Sequence, residues 1–179
     1  ENSLEFRLVP PQTAEKEEAW NVIHEGGEIP GHPWQRAGTV DRCVIERRAD
    51  SLLIADRGTQ GGDYAFFNYR GAVTADQEVV AEVRVKPLSG WSSLVVENGV
   101  HYGEIQFFAD RIQARHCGLE YRLDAGAAFH TYRYVSQGTD FKVYVDGVLR
   151  IDGTNKLAQP VHAGRRGVGF GAANSPNLG

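Results

Sequence analysis

The sequence predicts an all-β domain, a two-sheet antiparallel jelly-roll sandwich with a short N-terminal helix at most. Three observations predict it. Between Glu78 and Lys86, Val79, Ala81, Val83 and Val85 alternate with Glu82, Arg84 and Lys86, the period of two expected of a strand with one buried face. From Cys43 onward, short strand-like runs recur between turn residues at the spacing of a sandwich. Finally, 21 glycines against seven prolines supply the tight turns that many strands require.

A length of 179 residues suits one domain spanning residues 1–179, enough to bury roughly two-thirds of the surface of the unfolded chain. Hydrophobic residues at 41% and charged residues at 23% are globular usage and argue against disorder. A formal charge of −4 argues against nucleic acid as the main partner, although local basic patches remain suited to acidic sugars. No apolar run approaches the ~18 residues of a membrane helix; Ala65-Phe66-Phe67 is typical of the longest. The chain contains no Met and shows no secretory signal. It therefore reads as a mature exported form, extracellular or periplasmic, with its signal removed. Cys43 and Cys117 are the only cysteines and read either as one disulfide or as two buried thiols.

The first forty residues read as an irregular extension packed on the sandwich. Leu4 to Leu8 alternates like a strand, Pro10-Pro11 breaks it, and Thr13 to Trp20 reads as a short helix capped by Thr13. Gly26-Gly27, Pro30-Gly31 and Pro33 then mark a long connection. Strands are predicted at 44–46 and 51–55 around an Ala49-Asp50 turn, and at 64–69 after the glycine-rich loop 58–62. Further strands follow at 78–86, 92–96, 103–108, 111–116, 120–123, 130–136, 141–145, 148–151 and 168–170. Trp34, Trp91 and Tyr102 fall in predicted loops, where aromatic rings either stack on sugars or plug the end of a sandwich.

Phe129-His130-Thr131-Tyr132-Arg133, Gln137-Gly138 and Lys142-Val143-Tyr144-Val145-Asp146-Gly147 form a recognisable group, joined by Gly167-Val168-Gly169-Phe170-Gly171-Ala172. Together they resemble the central hairpin and penultimate strand of concanavalin A-like lectin/glucanase domains, including the laminin G-like group. The resemblance covers about the C-terminal half. It implies a jelly roll but no single activity, because folds of this kind host lectins, hydrolases, lyases and spacer modules. It also implies one more strand after Gly167–Ala172, whereas Asn174 to Gly179 has turn composition. Either the chain is trimmed there or Leu4 to Leu8 supplies the missing edge.

Catalytic residues are not expected. A retaining glycosidase needs paired carboxylates about 5 Å apart on one face, and Glu104 has Gln106 where the second would stand. Polysaccharide lyases line a sheet with Arg, Gln, His and Tyr, and the polar strand faces here do carry Arg84, Lys86, Glu104, Gln106, Gln113, Arg115, Arg133, Lys142 and Tyr144. If those faces share one groove, an acidic glycan is a sensible ligand; otherwise they are solvated outer faces. The candidate ligand-binding residues are Arg84, Glu104, Gln106, Arg133 and Tyr144, with Trp91 for stacking. The six scattered histidines have no metal-ligand spacing, and His130 has the parity of a core histidine. Asp56, Asp63 and Asp152 are oxygen ligands of the kind calcium takes, but no EF-hand-like spacing joins them, so no metal or other cofactor is expected.

The first expectation is thus a non-catalytic carbohydrate-binding or adhesive module of an exported protein, with a glycan or polysaccharide as partner. An enzyme of the same fold, a polysaccharide lyase or glycoside hydrolase acting on an acidic glycan, is the second. A structural or protein-interaction domain is the third.

Overall fold

The computed structural model describes residues 2–7, 20, 22–38, 40–58, 62–71, 77–161 and 167–175. It is an all-β, two-sheet antiparallel sandwich of jelly-roll type. The back sheet contains β1 (Asn2–Arg7), β3 (Cys43–Arg47), β4 (Leu52–Asp56), β6 (Val79–Ser89), β11 (His130–Gln137), β12 (Asp140–Val145) and β13 (Val148–Asp152), in the order β13-β12-β11-β6-β1-β4-β3. The front sheet contains β2 (Trp34–Gly38), β5 (Asp63–Tyr69), β7 (Trp91–Glu97), β8 (Tyr102–Phe108), β9 (Arg111–Ala114), β10 (Leu119–Arg122) and β14 (Gly167–Ser175), in the order β10-β9-β8-β7-β14-β5-β2. One short 3-10 turn, Val40–Arg42, leads into β3. The helix expected at 13–20 lies outside the described residues except for Trp20.

Alternation decides which side chains meet between the sheets. Val83, Val85, Tyr132, Tyr134, Phe141 and Val143 from the back sheet pack with Leu94, Val96, Ile105, Phe107, Ile112 and Phe170 from the front. Phe107 and Tyr132 lie 4.7 Å apart between ring centroids, and Tyr134 stacks on Phe141 at 5.4 Å and 9°. The Tyr132 hydroxyl is buried and has no hydrogen-bond partner among the described residues. Removing it by Tyr132→Phe is expected to leave stability unchanged or raise it by up to about 1 kcal/mol, since a buried hydroxyl without a partner only costs desolvation. Chemical denaturation of the two proteins measures this, and a loss of stability would show that the hydroxyl is bonded.

The Asp146-Gly147 turn forms as its sequence requires. Asp146 has φ 49° and Gly147 φ 80°, the two positive angles of a tight hairpin, and Val145 pairs with Val148. At the same end of the sheet, Asp146 Oδ1 accepts from the Thr131 amide at 2.9 Å and Oδ2 lies 2.6 Å from His130 Nδ1. His130 is therefore hydrogen-bonded, but beside the turn and partly exposed, outside the core cluster in which its parity places it. Burial works to raise the Asp146 carboxyl, but the bonds from His130 and Thr131 outweigh it and hold the group below its ordinary 3.8. A carboxylate depressed in the fold contributes stability above its unfolded value and loses it as pH falls through the folded one. Asp146→Asn keeps a residue that tolerates the positive φ. The melting temperature of the wild type is expected to exceed that of this variant at pH 6, with the gap closing as pH falls below about 4. A gap independent of pH would count against this account.

Several expectations change. Residues 1–40 are more than an irregular extension: β1 sits in the interior of the back sheet, between β4 and β6, and β2 forms an edge of the front sheet. β14 is an interior strand, paired with β5 and β7, and β1, which contains Leu4, Glu5 and Phe6, lies in the other sheet. Asn174 and Ser175, read as turn residues, belong to β14. Trp34, Trp91 and Tyr102 each open a strand instead of lying in loops. β9 stops at Ala114, because His116 takes a left-handed φ of 68° in the turn to β10. The two cysteines are not bridged to each other: Cys43 lies on the β3 edge of the back sheet and Cys117 beyond β9, towards one end of the front sheet.

Candidate functional site

Pairing register places the outward residues of the front sheet in rows. Across β7 and β8, Trp91 faces Phe108, Ser93 faces Gln106, Val95 faces Glu104 and Glu97 faces Tyr102. Gln106 continues to Gln113 on β9, and Phe108 to Arg111. These side chains point away from the core, yet Ser93, Glu97, Glu104 and Gln106 are 0, 3, 4 and 9% exposed. Polar groups sunk on the solvent side of a sheet call for partners.

Glu104 supplies them. Its Oε1 accepts from Ser93 Oγ at 2.7 Å and Gln106 Nε2 at 3.4 Å; its Oε2 accepts from Tyr102 Oη at 2.5 Å and Arg115 at 3.0 Å. Tyr102 and Gln106 reach it because they stand two residues away on the same face of β8. Arg115 reaches it because its amide donates to the Glu104 carbonyl at 2.9 Å, extending the β8–β9 pairing by one residue. Burial, and after it the adjacent Glu104 carboxylate, push the Tyr102 hydroxyl far above its usual range, so it remains a donor at physiological pH. A carboxylate offers about four lone-pair directions. Four donors here share them, which fixes the carboxylate in one position.

At one end of the face, the Arg111 guanidinium lies 3.9 Å from the centroid of the Phe108 ring and 2.9 Å from Asp110 Oδ1. At the other, Phe66, Asn68, Val95, Glu97 and Gly169 surround a depression that extends to Tyr69 and Arg70. Among the described residues, no three His, Cys, Asp or Glu side chains gather as metal ligands.

The six expected ligand-binding residues do not share this face. Trp91, Glu104 and Gln106 lie on it. Arg84, Arg133 and Tyr144 lie on the outer face of the back sheet, where Arg84 pairs with Thr131, Glu82 with Arg133, and Arg133 with Tyr144. There the Arg84 guanidinium sits 5.4 Å from the Phe129 ring centroid, and that of Arg133 sits 5.6 Å from Trp20 and 3.6 Å from Glu82 Oε2. The whole core separates the two groups, so the single groove considered from sequence does not form from all six. Ser93 and Glu97 join the site unannounced, and Tyr102, expected as a loop aromatic for stacking or plugging, joins it instead as a hydrogen-bond donor to Glu104. Their parity with Glu104 was readable on each strand, but the β7–β8 register that aligns them was not.

The chain matches no protein-family model, and no curated protein matches it. Among solved structures, it is similar to a Bacillus licheniformis beta-glucanase at 16% identity and a TM-score of 0.43, over 87% of this chain and 88% of that one. At that identity the likeness concerns the arrangement of strands alone.

Proposed function

We propose that the chain is a non-catalytic carbohydrate-binding module of an exported protein, with the outer face of the front sheet as its ligand face. The observation that carries this reading is the sunken polar row of Ser93, Glu97, Glu104 and Gln106. Gln106, the least buried of the row, presents a carboxamide that complements the donors and acceptors of sugar hydroxyls, and Glu104 beside it, held by Ser93, holds that carboxamide in place. Trp91 at the head of β7 adds an aromatic surface suited to an apolar sugar face. The saturated hydrogen bonding of Glu104 supports binding over turnover, as does Gln106 standing where a second carboxylate would be required.

Arrayed neutral and acidic oligosaccharides test the reading, followed by assays of the bound sugars for new reducing ends and unsaturated uronate ends. Binding without new ends is the expected result. Turnover would overturn the non-catalytic assignment, and binding to none would overturn the glycan reading. Gln106→Ala is expected to weaken binding about tenfold, the value of roughly one well-placed hydrogen bond.

A further inference from the structure

We propose that Phe66 is a stacking platform for a neutral pyranose, forming a subsite with Asn68 and Glu97 beside it; this rests on the glycan-binding reading above. In the sequence Phe66 sits in an apolar triplet, but its neighbours Ala65 and Phe67 are the buried pair and Phe66 points outward, partly exposed. Its ring lies on glycine. A Cβ added at Gly171 would fall 2.7 Å from Phe66 Cδ2, and one at Gly169 would fall 3.6 Å from Phe66 Cδ1. The ring thus lies against two successive outward positions of β14 that carry no side chain. The Tyr64 ring meets it at 68° and 6.4 Å, which steadies the ring in that pose.

The chemistry around the ring selects the ligand. A Cβ at Gly169 would also fall 2.4 Å from Asn68 Oδ1, so the carboxamide lies over the same bare strand beside the ring. Glu97 closes the depression from β7. An aromatic face takes the C–H face of a pyranose, while amide and carboxylate oxygens accept from hydroxyls at the sugar rim. Charge sets the class. Beside the ring the buried ionisable group is the carboxylate of Glu97, whereas Arg70 is exposed and better screened, and Glu104 further along the face is paired with Arg115. A neutral sugar fits there, and a uronate or sulfated sugar meets buried negative charge.

Titration calorimetry of the full chain with neutral hexasaccharides of the gluco, manno and galacto series, and with oligogalacturonate of equal length, tests the proposal. A neutral hexasaccharide is expected to bind, with upfield-shifted ring protons in its NMR spectrum from the Phe66 ring current. Phe66→Leu keeps an apolar cover over Gly169 and Gly171 but has no π face. It is expected to melt close to the wild type, bind about tenfold more weakly and abolish the upfield shift; Phe66→Trp is expected to restore both. Wild-type binding that Phe66→Leu leaves unchanged would overturn the platform while leaving the glycan reading intact. Preference for oligogalacturonate would overturn the neutral class. If the wild type binds none of the probes, the glycan reading fails and the platform with it.

Discussion

Phe107→Ala is expected to lower the unfolding free energy by about 3–5 kcal/mol, the cost of truncating a fully buried aromatic and leaving a cavity. Phe107 on β8 is 0% exposed, and its ring packs at 52° against Tyr132 from the opposite sheet. Both sheets therefore lose contact at one point, and the surrounding β-branched and aromatic side chains have little freedom to collapse into the gap. The neighbouring residue is the control. Phe108 faces outward under the Arg111 guanidinium, and Phe108→Ala is expected to cost about 1 kcal/mol or less, an exposed cation–π contact and a partly covered ring. Urea denaturation with unchanged slopes would measure both. Equal losses at the two positions would contradict the assignment of inner and outer faces.

That pair shows what the sequence makes legible. Phe107-Phe108 is apolar at both positions, but Ile105 and Phe107 against Glu104 and Gln106 identify the inner face by parity. The same reasoning finds Val79 to Val85 and the Asp146-Gly147 hairpin, because each is a local pattern. Strand order is not local. Nothing in Leu4-Glu5-Phe6 specifies that it pairs with both Leu53 and Lys86 from its middle residue. The site suffered for the same reason. Glu104, Gln106 and Trp91 were legible as outward polar or aromatic residues, and so were Arg84, Arg133 and Tyr144, but only sheet membership separates the two sets. Phe66 was hidden differently: its platform depends on glycines a hundred residues away, as register partners on β14.

Glu104→Ala is expected to cost about 2–3 kcal/mol and to weaken glycan binding by more than tenfold. Removing one partner of a buried ion pair generally costs about 3–5 kcal/mol. Here the lower figure applies because the Arg115 side chain is 42% exposed and can return to water. The hydroxyls of Ser93 and Tyr102 and the amide of Gln106 are less free to do so, and each loses its acceptor. Glu104→Gln is expected to cost less, about 1–2 kcal/mol. Its new NH₂ can donate to the Ser93 hydroxyl, which rotates to accept, whereas its remaining oxygen still serves Tyr102 and Arg115. Denaturation curves order the three proteins, and calorimetry with a bound oligosaccharide reads the site. A glutamine variant less stable than the alanine variant would show that the network cannot be rewired in this way.

The placement of β1 and β14 has a consequence for how the chain reaches its fold. β1 joins β4-β3 to β6-β11-β12-β13, and β14 joins β5-β2 to β7-β8-β9-β10. Each sheet is thus two separate pieces until a strand from one end of the described chain slots between them. During synthesis β1 emerges first and waits for β4 and β6, while the front sheet stays divided, with open edges on β5 and β7, until the ribosome has released β14. Such long-range closure makes folding slow, and the divided sheet is the species most exposed to wrong pairing. The strand that closes the front sheet is also the one whose bare glycines lie under the Phe66 ring, so the proposed ligand face is finished only when β14 is in.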